Sequence, residues 1–256
     1  MKILAIGDIV GSSGIKECKR QLGILREKEK IDFVIVNGEN SAEGMGITEI
    51  NFKDLLEQKV DVVTMGNHTW AKRDIFKFIN HERLIRPANY PKGVPGKGYG
   101  IYECLGKKIA VINLIGRVDI NVLSENPFLE VKRIIKEIKE KVDIIVVDFH
   151  AEATAEKIAM RYYLDGDVTI LFGTHTHVQT GDETILEKGT AYITDIGMTG
   201  PKNSVIGMEI SASIKRMETT LPERYKIAQG ECIFNGVVFT IDDKTNKVTD
   251  IKRINK

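Results

Sequence analysis

No stretch of this 256-residue chain stays apolar for long, cysteine is scarce, and neither sign of charge dominates. Each shortage excludes something. No segment approaches the roughly 18 consecutive apolar residues that a membrane helix needs. The opening run Met1-Lys2-Ile3-Leu4-Ala5-Ile6 is too short for the apolar region of a signal peptide, so a cytoplasmic protein with no membrane segment is expected. The three cysteines, Cys18, Cys104 and Cys232, are odd in number and far apart. That spacing argues against a disulfide framework or a thiolate metal site, and for reduced thiols. With 37 basic and 36 acidic residues the net charge is +1. No overall field therefore draws the chain to nucleic acid or lipid, and an anionic substrate must be held by local charge. Repeats, low-complexity tracts and interdomain linkers are missing too, so residues 1–256 read as a single domain.

What is present is a regular alternation. Short β-branched runs recur at 2–6, 33–36, 60–65, 109–114, 142–147, 168–172 and 191–194. Being apolar at successive residues, they predict strands buried on both faces, which requires helices on either side of the sheet. Residues 15–30 have helical spacing, with apolar positions at Ile15, Cys18, Leu22 and Leu25. Segments 49–59 and 126–141 behave similarly, and Pro127 sits where a first helical turn tolerates it. This alternation predicts an α/β layered fold. The last third is read as strand-rich, at 208–210, 236–241 and 248–253, with a hairpin turn at 242–246. Segment 87–100, with three prolines and four glycines, is long and irregular and is read as a candidate lid. Ile196-Gly197-Met198-Thr199-Gly200-Pro201 is read as a tight turn that either lines the pocket or simply reverses the chain.

Only five histidines are present, and three sit in Asp148-Phe149-His150 and Gly173-Thr174-His175-Thr176-His177. Each of these segments ends an apolar run, and His68 follows another in Gly66-Asn67-His68. His81, in a polar helix end, is read as non-ligating. Imidazole is the commonest protein metal ligand near neutral pH, and packing does not explain why most of a scarce supply stands at strand ends. In layered α/β sheets, sites form beyond the carboxyl ends of strands. There lie Asp8, Glu39, Asn40, Asn67, His68, His150, His175 and His177. Oxygen and imidazole donors without thiolate suit Mn, Fe, Co, Ni or Zn. In an extended segment alternate residues lie about 6.6 Å apart. That is awkward for one small ion but suits one ligand on each of two ions about 3.5–4 Å apart. His175 and His177 are thus expected to serve different ions, with Glu39 the best candidate for a bridging carboxylate.

Taken in order, these segments resemble the calcineurin-like metallophosphoesterases. The likeness is greatest to the YmdB-like branch, through Gly7-Asp8-Ile9-Val10-Gly11, Asn37-Gly38-Glu39-Asn40 and Asp195-Ile196-Gly197-Met198-Thr199-Gly200-Pro201. It runs over nearly the whole chain and implies an α/β/β/α sandwich of mixed sheets flanked by helices. Two departures from the broad superfamily pattern stand out. Val10 occupies the position of the histidine in the usual Asp-x-His, and Glu39 replaces the usual bridging Asp. The resemblance implies that Asp8, Glu39, Asn40 and His177 hold one ion and that Glu39, Asn67, His150 and His175 hold the other. It also implies two divalent metal ions, iron or manganese, with zinc compatible.

Asp8, Glu39 and a bridging hydroxide return about three of the four positive charges that two such ions bring. The site then keeps about one net positive charge, which attracts a phosphate anion. Metals also lower the pKa of bound water toward 7. The leaving alkoxide still needs a proton, and His68, next to Asn67, is the expected general acid. The function expected is hydrolysis of a nucleotide-type phosphodiester. The resemblance points to a 2′,3′-cyclic nucleotide such as 2′,3′-cAMP, or to an RNA-derived ligand. Spacing alone does not separate this from a phosphomonoesterase. A third reading is a nucleotide-binding regulatory protein with little turnover, against which His68 argues, because a pure binder needs no proton donor. A homo-oligomer is compatible with all three. Arg117, just past the strand at 109–114, either reaches the phosphate or is a surface arginine.

Overall fold

The computed structural model describes residues 1–224 and 226–256. The strands of the first half are β1 (Lys2–Ile6), β2 (Asp8–Ile9), β3 (Phe33–Asn37), β4 (Val62–Thr64), β5 (Leu84–Ile85), β6 (Tyr99–Cys104) and β7 (Lys107–Ile115). Those of the second half are β8 (Ile144–His150), β9 (Ile170–Thr174), β10 (Thr184–Ile185), β11 (Ala191–Ile193), β12 (Met198–Pro201), β13 (Cys232–Ile241) and β14 (Val248–Asn255). The helices are α1 (Gly11–Glu29), α2 (Glu49–Glu57), α3 (Pro127–Ile138), α4 (Thr154–Leu164) and α5 (Ile210–Thr219). Among the described residues no helix is long and apolar enough to cross a membrane.

Two mixed sheets result. The eight-stranded sheet runs β2-β12-β13-β1-β3-β4-β5, with β14 also on β13. The six-stranded sheet runs β10-β11-β9-β8-β7-β6. The period of two along each strand then sorts the apolar residues into layers. Ile3 and Ala5 of β1 join Ile109 and Val111 of β7 and Ile170 and Phe172 of β9 between the sheets. Their neighbours Leu4 and Ile6 face outward onto Ile15, Leu22 and Leu25 of α1. Ala110, Ile112 and Leu114 face outward onto α3 and α4. A strand packed on both faces must be apolar at both parities, which is why these runs lack alternation. The layers are α/β/β/α, and β1, β3, β4, β8 and β9 all bring their carboxyl ends to candidate ligands.

Several local expectations need correction. Segment 196–201 is not merely a turn: its second part is β12, parallel to β2 and antiparallel to β13. Residues 208–210 form no strand. Met208 makes only isolated bridges with Val205 and Ile227, and Ile210 opens α5, whose apolar residues Ile210, Ile214 and Met217 recur at helical spacing. Helix α4 escapes a reading by hydropathic period because its buried positions include Glu156 and Lys157, charged residues that erase that period. Within 87–100, Ala88 N–H donates to Asn113 O, and the buried Tyr90 hydroxyl donates to Gly66 O at 3.0 Å. The segment ends by entering β6.

Candidate metal centre

Asp8, Glu39 and His150 are fully buried at adjoining strand ends. Glu39 Oε1 lies 3.2 Å from His150 Nε2 and 3.3 Å from His68 Nδ1, and Glu39 Oε2 accepts the His68 N–H at 2.9 Å. Around His150 Nε2 stand Asn67 Oδ1 at 2.9 Å and His175 Nδ1 at 3.0 Å. On the other flank, Asn40 Nδ2 lies 3.0 Å from His177 Nε2, and Asp8 Oδ1 lies 3.9 Å from that same nitrogen. All seven candidate ligands therefore converge. His175 keeps company with His150 and Glu39, and His177 with Asn40 and Asp8. His68 stands at the open side, where Asn40 Oδ1 accepts from its Nδ1 at 2.9 Å. This leaves Nε2 as the ring atom free to give or take a proton.

Extended geometry is not what separates the two histidines of the last segment. Strand β9 stops at Thr174, and His175 and His177 have φ of 102° and 66°. Left-handed backbone is costly for such residues and persists only where surroundings impose it. Asp195 imposes it: its Oδ2 accepts from Thr176 N–H at 3.1 Å and Thr176 Oγ1 at 2.8 Å, and its Oδ1 accepts from Gly197 N–H at 2.8 Å. The fully buried Lys157 of α4 donates to the same Oδ2 at 2.7 Å and balances the charge. From the front, Asp8 Oδ2 accepts the His175 N–H at 3.2 Å.

A second buried carboxylate orients His150. Asp148 precedes it by two residues on β8 and so shares its face. Thr174 Oγ1 donates to Asp148 Oδ1 at 2.7 Å and lies 2.9 Å from His150 Nδ1, while Thr64 Oγ1 donates to Asp148 Oδ2 at 2.5 Å. With its proton committed to Asp148, Thr174 Oγ1 accepts from Nδ1–H. That arrangement turns the Nε2 lone pair of a neutral His150 toward Glu39, Asn67 and His175.

These residues call for a cation. Asp8 Oδ1 is buried with no hydrogen-bond partner. Burial pushes Asp8 up, outweighing the pull of His177 and His150. Burial disfavours a charged His150, yet Glu39, Asp8 and Asp148 together outweigh it and raise its pKa to about 9. Burial and the neighbouring His150 drive His175 down to about 3. Donor atoms of Glu39, His150 and His175 lie within 4.8 Å of one another. A Cβ on Gly66 would stand 2.3 Å from His150 Nε2 and 2.4 Å from Glu39 Oε2, so only glycine lets the backbone pass there. The donor set of carboxylate, amide oxygen and imidazole fits divalent ions.

Other candidates lie apart. His81 packs edge-on against Phe52 at 5.0 Å, and its Nδ1 accepts from Arg83 N–H. Arg117 is exposed, with its backbone N–H held by Glu156. Neither it nor 87–100 lines the cavity over the site. Asp148 is legible in the sequence as a same-face neighbour of His150, and Asp195 stands in a quoted motif without a role. Nothing local marks Lys157.

The model of a family described as YmdB-like protein matches residues 4–254. A Bacillus subtilis (strain 168) protein named 2′,3′-cyclic-nucleotide 2′-phosphodiesterase is 49% identical over 255 residues, 99% of this chain and 96% of its own. Among solved structures, a Mycoplasma pneumoniae protein described as a novel phosphatase superposes with a TM-score of 0.94 at 39% identity, covering 100% of this chain and 93% of its own. A hypothetical protein from Thermus thermophilus also gives 0.94, at 37% identity, with 100% and 99% covered.

Proposed function

This chain belongs to the YmdB-like family, and from that premise we propose that it is a metal-dependent phosphodiesterase of the cytoplasm that hydrolyses 2′,3′-cyclic nucleotides. The observation that carries the reading is the convergence of Asp8, Glu39, Asn40, Asn67, His150, His175 and His177, with His68 beside them on the open side. We assign Asp8, Asn40 and His177 to one ion, Asn67, His150 and His175 to the other, and Glu39 to both. Iron or manganese suits this set. When bound, the ions supply charge neutralisation at the phosphoryl oxygens and an acidified water.

The remaining work falls to the chain itself. Asp148, through Thr174, keeps the His150 Nε2 lone pair aimed inward. Asp195 holds the His-Thr-His turn, and Gly66 lets the Asn67–His68 backbone pass close to Glu39. His68 keeps one proton at Nδ1 against Asn40 Oδ1 and Glu39, so as an imidazolium it would give its second proton, at Nε2, to the departing ribose oxygen and return to the neutral Nδ1–H ring. Proton donation of this kind contributes about 10²–10⁴-fold.

The test combines elemental analysis of anaerobically purified protein with turnover of 2′,3′-cAMP and of p-nitrophenyl phosphate in added Mn²⁺, using Asp8→Asn as control. About two ions per chain and preferential diester cleavage are expected. Preference for the monoester would make the protein a phosphatase. Tight nucleotide binding without turnover would make it a regulatory binder.

A further inference from the structure

The cavity that opens from Glu39, His175 and His177 has a volume of about 1620 Å³, beyond the 300–1,000 Å³ common for small-molecule pockets. One of its walls is apolar and open to solvent. Ile206, Ile210 and Ile214 line it at 50%, 45% and 48% exposure. Ile210 and Ile214 stand four apart on α5 and so share a face. The buried residue of that helix is Ser213, and its apolar face at Ile210 and Ile214 stays about half exposed.

Ile206 ties this wall to the candidate metal centre. Its carbonyl accepts from His177 Nδ1 at 2.8 Å, which leaves His177 Nε2 facing Asp8 and Asn40. Its φ is 46°, a conformation that a β-branched residue rarely adopts. The surrounding loop enforces it: Val205 and Met208 exchange backbone hydrogen bonds, Ser204 Oγ accepts from Gly207 N–H at 2.8 Å, and Ala228 N–H donates to Gly207 O. One strained residue thus aims a ligand histidine with its carbonyl and presents a bare side chain to the cavity.

Resting on the phosphodiesterase reading above, we propose that Ile206, Ile210 and Ile214 form the subsite that packs against the nucleobase of the substrate. A nucleotide carries a flat, largely apolar base one ribose away from its phosphate. The wall lies in the same cavity as His175 and His177, the imidazoles that would hold the ions at that phosphate. Asn203 and Gln229 line this cavity as well and bring amides to meet a base edge. Continuity with the centre, through the Ile206–His177 bond, selects a base over a second protein chain.

The experiment compares 2′,3′-cAMP with glycerol 1,2-cyclic phosphate, a cyclic diester that has no base. Steady-state kinetics are measured on the Mn²⁺-loaded wild type and on Ile210→Ser/Ile214→Ser. The double variant should raise KM for 2′,3′-cAMP about tenfold, with kcat held within about twofold, because the lost contacts are equal in ground and transition states. Its kcat/KM for the base-free diester should not change. Equal losses on both substrates, or no loss on 2′,3′-cAMP, would overturn the subsite and leave the phosphodiesterase reading standing. A change of oligomeric state without base dependence would overturn it as well, assigning the wall to a second copy. Failure of the wild type to cleave either diester would overturn both.

Discussion

Lys157→Met isolates the role of the buried pair behind the His175–His177 turn. Lys157 and Asp195 are each 1% exposed at the side chain, 2.7 Å apart. Removing the ammonium leaves a buried carboxylate without its counter-charge, a change that typically costs about 3–5 kcal/mol. The Thr176 N–H, Thr176 Oγ1 and Gly197 N–H still donate to Asp195, so the lower end, about 3 kcal/mol, applies here. In a chain of this size that corresponds to a fall in Tm of about 6–12 °C. Lys157→Met/Asp195→Asn removes both charges and should recover most of that loss, because neutral replacement of a buried pair is far cheaper than breaking it. It should not recover metal binding, since an asparagine offers a single oxygen to three donors and the left-handed turn loses its anchor. Thermal unfolding of the metal-free proteins and Mn²⁺ titration separate the two effects. The reasoning is refuted if Lys157→Met melts within about 2 °C of wild type, or if the double variant binds Mn²⁺ as wild type does.

Two further outcomes follow from the same geometry. His68→Ala should lower kcat on ribose and alkyl esters by about 10²–10⁴-fold while sparing nitrophenyl esters, whose leaving group needs no proton; equal losses on the two ester types would remove His68 from that role. Asp148→Asn, with Thr174→Val beside it, should weaken Mn²⁺ binding about 10–100-fold in equilibrium titration, because each breaks the link that sets the His150 tautomer. Unchanged affinity in both variants would show that His150 orients itself without help.

The elements that stand out in the sequence are those whose cause is local. A strand covered on both faces must be apolar at every position, so β1, β3, β8 and β9 announce themselves, and the candidate ligands at their ends follow by residue type alone. Helix α4 does not, because Lys157 and Glu156 are buried through partners elsewhere: Asp195 for the first, the Arg117 and Val118 N–H groups for the second. The start of helix α5 reads as a strand because its apolar face turns toward a cavity, and a short mixed segment carries no signal of what lies opposite. The turn at 175–177 reads as extended because nothing local predicts two histidines at positive φ.

The sequence by itself determined the layered class, the strand ends and the kinds of donor atom available, since hydropathic period and side-chain chemistry belong to single residues and near neighbours. Only the tertiary structure decided which imidazole meets which carboxylate, and which nitrogen of each ring faces inward. His177 meets Asn40 across 137 residues, and Thr174 ties His150 to Asp148 between two parallel strands. Those pairings depend on how strands far apart in the chain align, and no stretch of sequence contains that alignment.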